Sequence, residues 1–329
     1  MSFTLWAITV AGILLLVSLD FIVVSRKPHE VKFREAALWS VFYIGIAIAF
    51  GIALIIFQGG GVGTEYFAAY LVEKSLSVDN LFVFIIILTQ VAVPAALHQR
   101  VLLFGVVLAL ILRAIFIAIG AAALAAFAFT FVIFGAILIW TGVQLARHRN
   151  EDPDPMDSFI VRRVRSWIPF TDNFDGTRLF SKVSGKRLAT PLLLVMISIG
   201  ATDLLFALDS IPATFGVTQE PYLVFTANAF ALLGLRALYF LLKGLLDKLV
   251  YLSAGLALIL VFIGIKLILT YVHEQVPSVP KISTAGSLVF IAVVLIIVVI
   301  ASWLKVRKDP TVIAHAGRVT ATPEDDTKE

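Results

Sequence analysis

The sequence predicts an all-α polytopic membrane protein with nine transmembrane helices, and three observations carry that expectation. Of 329 residues, 60% are hydrophobic and 15% charged, against about 45–50% apolar and about 25% charged in soluble domains. Nine apolar runs are long enough for crossing helices, which need about 20 mostly apolar residues. The basic residues between those runs alternate, crowded into every second loop.

The runs fall at about 4–24, 36–57, 67–90, 100–120, 124–146, 190–211, 222–243, 250–271 and 284–304. No Lys or Arg precedes the first, and it ends at Ser25-Arg26-Lys27-Pro28 without a small-residue cleavage pattern. It is expected to be a retained anchor rather than a signal peptide. The loop after run 1 holds Arg26, Lys27, Lys32 and Arg34, and that after run 3 holds Arg100. The loop after run 5 holds Arg147, Arg149, Arg162, Arg163, Arg165, Arg178, Lys182, Lys186 and Arg187. Lys243 and Lys248 follow run 7, and Lys305, Arg307, Lys308, Arg318 and Lys328 follow run 9. The opposite side holds Lys281, with Lys74, inside run 3, the other base counted toward it. Basic loops stay in the cytoplasm, so the N-terminus is expected outside and the C-terminus inside. The segment at about 148–189 is the one sizeable soluble stretch, too short for its own core. The expectation is one transmembrane domain over 1–310 and a disordered cytoplasmic tail over 311–329. Trp6 and Trp303, near run ends, fit an aromatic belt.

The chain contains no cysteine, which removes disulfides, thiolate metal sites and thiol catalysis. No phosphate-cradling glycine loop or nucleophile–base motif is present, so neither an enzyme nor an ATP-driven pump is expected. Gly59-Gly60-Gly61 is read as a flexible outer loop. Nothing points to nucleic acid.

An internal repeat is visible. Glu73, Asp79 and Asn80 recur as Asp203, Asp209 and Ser210. Leu112-Arg113-Ala114-Ile115 recurs as Leu235-Arg236-Ala237-Leu238, and Gly142-Val143-Gln144-Leu145 as Gly264-Ile265-Lys266-Leu267. Runs 3–5, about 67–147, therefore match runs 6–8, about 190–271. Their first members start on opposite sides, which makes the repeat inverted, an architecture of secondary transporters with a polar site at the junction.

The ionisable groups within or at the edges of the apolar runs that bear on a site are Asp20, Glu73, Asp79, Arg113, Asp203, Asp209, Arg236 and Lys266. A charge at bilayer centre costs at least about 2.5–3.5 kcal/mol, so such residues face the interior and find partners. A purely structural account pairs Asp79 with Arg113 and Asp209 with Arg236. The surplus of carboxylates points instead to a bound cation. On a continuous helix Glu73, Ser77 and Asn80 share a face, whereas Glu73 and Asp79 lie about 120° apart. Helix breaks at Ser75–Asp79 and Asp209–Pro212, where poor helix formers and a proline cluster, would let Asp79 and Asp209 converge. Asn80 and Ser210 would add oxygen ligands. Oxygen-only ligation suits Mn2+, Mg2+ or Ca2+. No histidine falls in a run, which disfavours zinc and copper. Arg113, Arg236 and Lys266 either balance the carboxylates or mark an amino-acid or oxyanion path. Lys266 admits a proton-coupling role or simple snorkelling. Asp20, at the inner end of run 1, reaches either the site or the headgroups.

At these motifs the sequence resembles the TerC/Alx family of bacterial membrane proteins, named for tellurium resistance and placed near the lysine-exporter superfamily. The residues that carry the likeness are the string from Tyr70 to Val83, including Glu73-Lys74-Ser75-Leu76-Ser77-Val78-Asp79-Asn80, and the string Phe206-Ala207-Leu208-Asp209-Ser210-Ile211-Pro212-Ala213. The run from Ala227 to Leu242, with Asn228 and Arg236, and the run Val261–Lys266 add to it, as does Asp20. The resemblance implies nine spans and manganese efflux through Asp79 and Asp209, with Glu73 and Asp203 as ligands or proton acceptors. Family roles in supplying manganese to exported proteins or in membrane assembly imply an assembly factor as an alternative. Calcium is the rival substrate, and a homo-oligomer or membrane-protein partner is open. Several relatives carry a glutamate where this chain has Gly200.

Overall fold

A computed structural model describes residues 2–26, 33–148, 159–183, 186–242, 248–276, 278–280 and 282–309. The tail expected to be disordered lies outside the described residues. The elements are α1 (Phe3–Arg26), α2 (Phe33–Gln58), α3 (Gly60–Gln90), α4 (Ala95–Ala126), α5 (Thr130–Arg147), α6 (Phe159–Trp167), β1 (Phe180–Val183), β2 (Lys186–Ala189), α7 (Pro191–Phe215), α8 (Pro221–Leu233), α9 (Leu235–Leu242), α10 (Leu252–Gln275) and α11 (Thr284–Lys308). Each of the nine apolar runs falls on one of these helices or on the α8–α9 pair. Among the described residues seven helices are long and apolar enough to cross a membrane, and the α8–α9 pair, bent by 41°, makes an eighth if it is one span. The remaining run lies on α3, which is 31 residues long and carries Glu73, Lys74 and Asp79 near its middle.

The fold departs from all-α in one place. The soluble segment folds into the short helix α6 and an antiparallel hairpin pairing Phe180 with Ala189 and Val183 with Lys186. A backbone bridge from Phe170 to Ala189 ties the hairpin down just before α7 begins.

The core lies around α3, α7, α8 and α10. In their most apolar stretches α7 and α10 are more than half buried, whereas α1 is 17% and α2 and α11 are 28% buried. The three peripheral helices turn Leu15, Phe21, Ile56, Val289 and Ile296 outward, as lipid-facing surfaces do. Trp303 is exposed, with the Arg307 guanidinium 5.4 Å from its ring centre. Trp6 instead packs edge-on against Tyr222 of α8, with ring centres 5.1 Å apart. α3 packs on α8, α4 on α7 and α5 on α10. The last pair owes its closeness to glycine. A Cβ on Gly135 would sit 2.7 Å from the Gly264 carbonyl oxygen, and one on Gly142 2.9 Å from that of Ala257. Small residues let membrane helices approach at backbone distance.

Both expected helix breaks are absent: α3 runs unbroken through Ser75–Asp79, and α7 runs through Pro212 to Phe215. Hydroxyls explain part of this. Ser75 donates to the Leu71 carbonyl at 2.5 Å, Thr202 to Ser198 at 2.7 Å and Thr214 to Ser210 at 2.8 Å. A hydroxyl bonded four residues back keeps its own polarity satisfied inside a continuous helix. Pro212 sits in the last turn, where few later bonds depend on it. The bend falls at Gly234, between α8 and α9. Gly59-Gly60-Gly61 is not a loop either. Gly59 alone makes the turn, at φ 100, a conformation glycine adopts freely, and Gly60 already opens α3.

Candidate functional site

Arg113 is the centre of a polar knot. It projects from α4 and is 1% exposed. Its Nη1 donates to Glu73 Oε2 of α3 at 2.7 Å and to Asn228 Oδ1 of α8 at 3.4 Å. Its Nη2 lies 3.4 Å from Asp203 Oδ1 of α7. With its amide oriented to satisfy both ends, Asn80 donates to the Leu76 carbonyl at 2.9 Å and accepts from Arg113 Nη2 at 3.3 Å. Thr214 of α7 donates to Glu73 Oε1 at 2.8 Å. Four helices thus converge on one guanidinium, near the middle of α3 and α7.

Helical phase builds this arrangement. Glu73, Ser77 and Asn80 stand at i, i+4 and i+7 of α3, the shared face that the sequence predicts. All three are buried, and Glu73 and Asn80 both reach Arg113. On α7, Asp203, Ser210 and Thr214 stand at i, i+7 and i+11, again one face. Two carboxylates meet one guanidinium, so the knot has an excess of acid over base among its described members. Several buried polar atoms here have no hydrogen-bond partner among the described residues: Asp203 Oδ2, Ser77 Oγ, Ser210 Oγ, Asn228 Nδ2 and Arg113 Nε. An unpaired buried polar atom costs about 1–3 kcal/mol. Such a concentration in one seam marks a place where a ligand or water completes the bonding.

The expected pairings change. Arg113 takes Glu73 and Asp203; its expected pairing with Asp79 falls on a side chain outside the described residues. Arg236 of α9 takes Asp20 of α1, not Asp209: its Nε donates to Asp20 Oδ2 at 3.1 Å and its Nη2 to Oδ1. Asp20 is therefore buried in a bidentate ion pair and does not reach headgroups. Asp209 is half-buried on another face of α7, toward Thr141 of α5. The reason is phase: six residues of unbroken helix turn the second carboxylate of each half about 120° from the first. The intended convergence of Asp79 with Asp209 needed breaks that the helices do not have. Among the described residues no three His, Asp or Glu side chains form a ready metal-binding group.

Lys266 of α10 is 5% exposed, so it does not snorkel. His98 belongs to α4 and is buried, although the sequence places every histidine outside the apolar runs. Both its ring nitrogens are engaged, with the Val93 carbonyl at 2.9 Å and the Tyr239 hydroxyl at 3.2 Å. Gly200 faces α4, where a Cβ would meet Leu108 Cδ2 at 2.6 Å. Sequence reasoning missed Thr214, whose four-residue spacing from Ser210 was the available signal. A groove of about 540 Å³ between α10 and α11, lined by Gly255, Leu258 and Val298, contains none of the knot residues.

Comparison with known proteins follows the same lines. The chain is 46% identical over 316 residues to an uncharacterized membrane protein of Mycobacterium tuberculosis, covering 92% of this chain and 79% of the relative. It is 43% identical over 315 residues to one from Myxococcus xanthus, covering 96% and 97%. It is 37% identical over 314 residues to the Escherichia coli protein Alx, named for a proposed role as a membrane-bound redox modulator, covering 93% and 96%. No solved structure matches the chain. The family model for TerC integral membrane proteins matches residues 58–310, the stretch that contains Glu73, Arg113, Asp203 and Asn228, and the chain belongs to the TerC family of integral membrane proteins.

Proposed function

We propose that this chain is a secondary transporter that exports Mn2+ from the cytoplasm through an acidic site inside the membrane. It would cross nine times, N-terminus outside and C-terminus inside, with runs 3–5 and 6–8 as inverted repeats. The observation that carries this reading is the burial of Glu73 and Asp203, one from each half, on a single arginine among unpaired oxygen donors. Salt bridges for scaffolding alone need no such surplus of carboxylate and hydroxyl oxygen.

The geometry supplies a working cycle. In the empty carrier Arg113 neutralises part of the carboxylate charge, which a low-dielectric interior otherwise penalises steeply. A divalent cation brings its own charge and competes with the guanidinium for Glu73 and Asp203. The donors left are carboxylate, amide and hydroxyl oxygens, suited to Mn2+, with Ca2+ as the rival. Asp209 faces Thr141 of α5; it, Asp79 and Lys266 would act at further positions along the path or in proton coupling. The repeat is supported by the α5–α10 crossing. The offset of 122 residues that relates Gly142 to Gly264 also relates Gly135 to Ala257. It therefore carries the Gly135–Gly264 approach onto the Gly142–Ala257 one.

A redox role, which the name of the Alx relatives raises, would have to proceed without thiols, since the chain has no cysteine. An amino-acid or oxyanion path would need a free cationic site, and Arg113 and Arg236 are both committed to carboxylates. An assembly factor would place function in the segment 148–189. The deciding measurement is the manganese content of cells loaded with excess metal. Cells with wild type should hold less manganese than cells with Glu73→Gln plus Asp203→Asn or with Asp79→Asn plus Asp209→Asn. Equal manganese in all of them, with protein present in the membrane, removes the export reading; a calcium difference in the same cells would move the assignment to Ca2+.

A further inference from the structure

The polar seam between α3 and α7 does not stop at the knot. Towards the start of α3 it continues to Glu65, a carboxylate outside the apolar run and absent from the sequence-derived site. Thr218, just past the end of α7, donates to Glu65 Oε2 at 2.6 Å and accepts from the Glu220 amide at 3.3 Å. Thr218 stands four residues after Thr214, and its amide donates to the Thr214 carbonyl at 3.1 Å. The threonines thus form two rungs, Glu73–Thr214 and Glu65–Thr218. Between them on α3 lies Ala69, fully buried and small. Glu65 itself is half-buried, while Glu73 is fully buried.

The other end of the same two faces is apolar. Four and seven residues beyond Asn80 on α3 come Phe84 and Ile87. Four and eleven residues before Asp203 on α7 come Ile199 and Leu192. All four are buried in one hydrophobic cluster. The seam therefore runs from a half-buried carboxylate to the Arg113 knot, within which the Ser77 and Ser210 hydroxyls lack partners among the described residues, and then meets a hydrocarbon seal.

We propose that Glu65 and Thr218 form the mouth of the ion path and bind the transported divalent cation there, in a conformation open at this end and closed beyond Asn80 and Asp203. The inference rests on the transport reading. A site built from one carboxylate and one hydroxyl has few charged ligands and hence weak affinity, which suits an entry or release point rather than a trap.

The cysteine-free chain makes the test direct. Gln219, next to Thr218, is exposed, so Gln219→Cys reports on the mouth. A membrane-impermeant maleimide is applied to intact cells and to inverted vesicles, with and without millimolar MnCl2. Labelling from one side that Mn2+ slows several-fold, with protection lost in Glu65→Gln plus Gln219→Cys, is the expected result. Thr218→Val plus Gln219→Cys is the second variant and should weaken protection. Protection that is absent, or unchanged in both variants, overturns the mouth. Manganese content measured in the same cells separates the two readings. Export without protection leaves the transporter and removes the mouth; protection without export leaves a cation site and removes transport.

Discussion

Arg113 and Arg236 begin from the same words, Leu-Arg-Ala in corresponding places of the two halves, and end with different company. Arg113 holds a carboxylate from each half, together with Asn228 and Asn80. Arg236 reaches outside the repeat to Asp20 on α1, a helix with no counterpart in either half. The first arrangement has two carboxylates on one guanidinium and several unpaired polar atoms; in the second one carboxylate faces one guanidinium, with the buried Tyr43 hydroxyl beside Asp20. Equivalent sequence therefore does not give equivalent chemistry. The bend at Gly234 turns α9 away from the line of α8, whereas α4 runs straight through Arg113. Under the proposed transport a cation would compete at the knot, and the Asp20–Arg236 pair would fasten α1.

Four substitutions break or sharpen that contrast. Arg113→Met leaves Glu73 and Asp203 buried without their base and should cost about 3–5 kcal/mol, seen as a collapse of folded protein in detergent after mild heating. Adding Glu73→Gln and Asp203→Asn should restore folding but not manganese export. Next, Arg236→Met alone should destabilise by a similar mechanism, while Arg236→Met with Asp20→Leu should return to within about 1 kcal/mol of wild type, because replacing a whole buried pair is often neutral. Export that survives in this double variant identifies the pair as scaffold; export that disappears gives it a part in the cycle. Thr214→Val removes one hydrogen bond to Glu73 and should cost about 0.6 kcal/mol, the average for a bond between membrane helices. Its larger consequence should be a changed manganese dependence of export. Gly200→Ala pushes only on the flexible end of Leu108, a cost offset by the roughly 1 kcal/mol that Ala gains over Gly within a helix, so the melting midpoint should stay nearly unchanged.

Much of this was legible in the chain. Apolar runs gave the helices because a bilayer forces backbone polarity to be satisfied locally. The faces were legible too: the i, i+4, i+7 spacing put Glu73, Ser77 and Asn80 on one side of α3, and Glu73 and Asn80 from that side meet Arg113, a partner expected from the sequence for Asp79. The pairing was not. Asp79 and Asp209 looked central because each stands in the densest polar motif, yet an unbroken helix points Asp209 toward Thr141 and leaves Asp203 to share Arg113 with Glu73. The hairpin over 180–189 was also beyond reach, since four-residue strands carry little periodic signal.

The sequence by itself determined that this is a membrane protein of many helices with carboxylates and bases it cannot leave exposed to lipid. Composition and spacing suffice for that, because the cost of burying charge is the same whichever partner repays it. Only the tertiary structure decided which partner does. Arg113 sits 40 residues from Glu73, 90 from Asp203 and 115 from Asn228, and Arg236 sits 216 from Asp20. Over such separations the choice depends on helix phase, on the glycine contacts that set how closely α5 and α10 approach, and on the bend at Gly234. Those are properties of packed helices, not of any segment read alone.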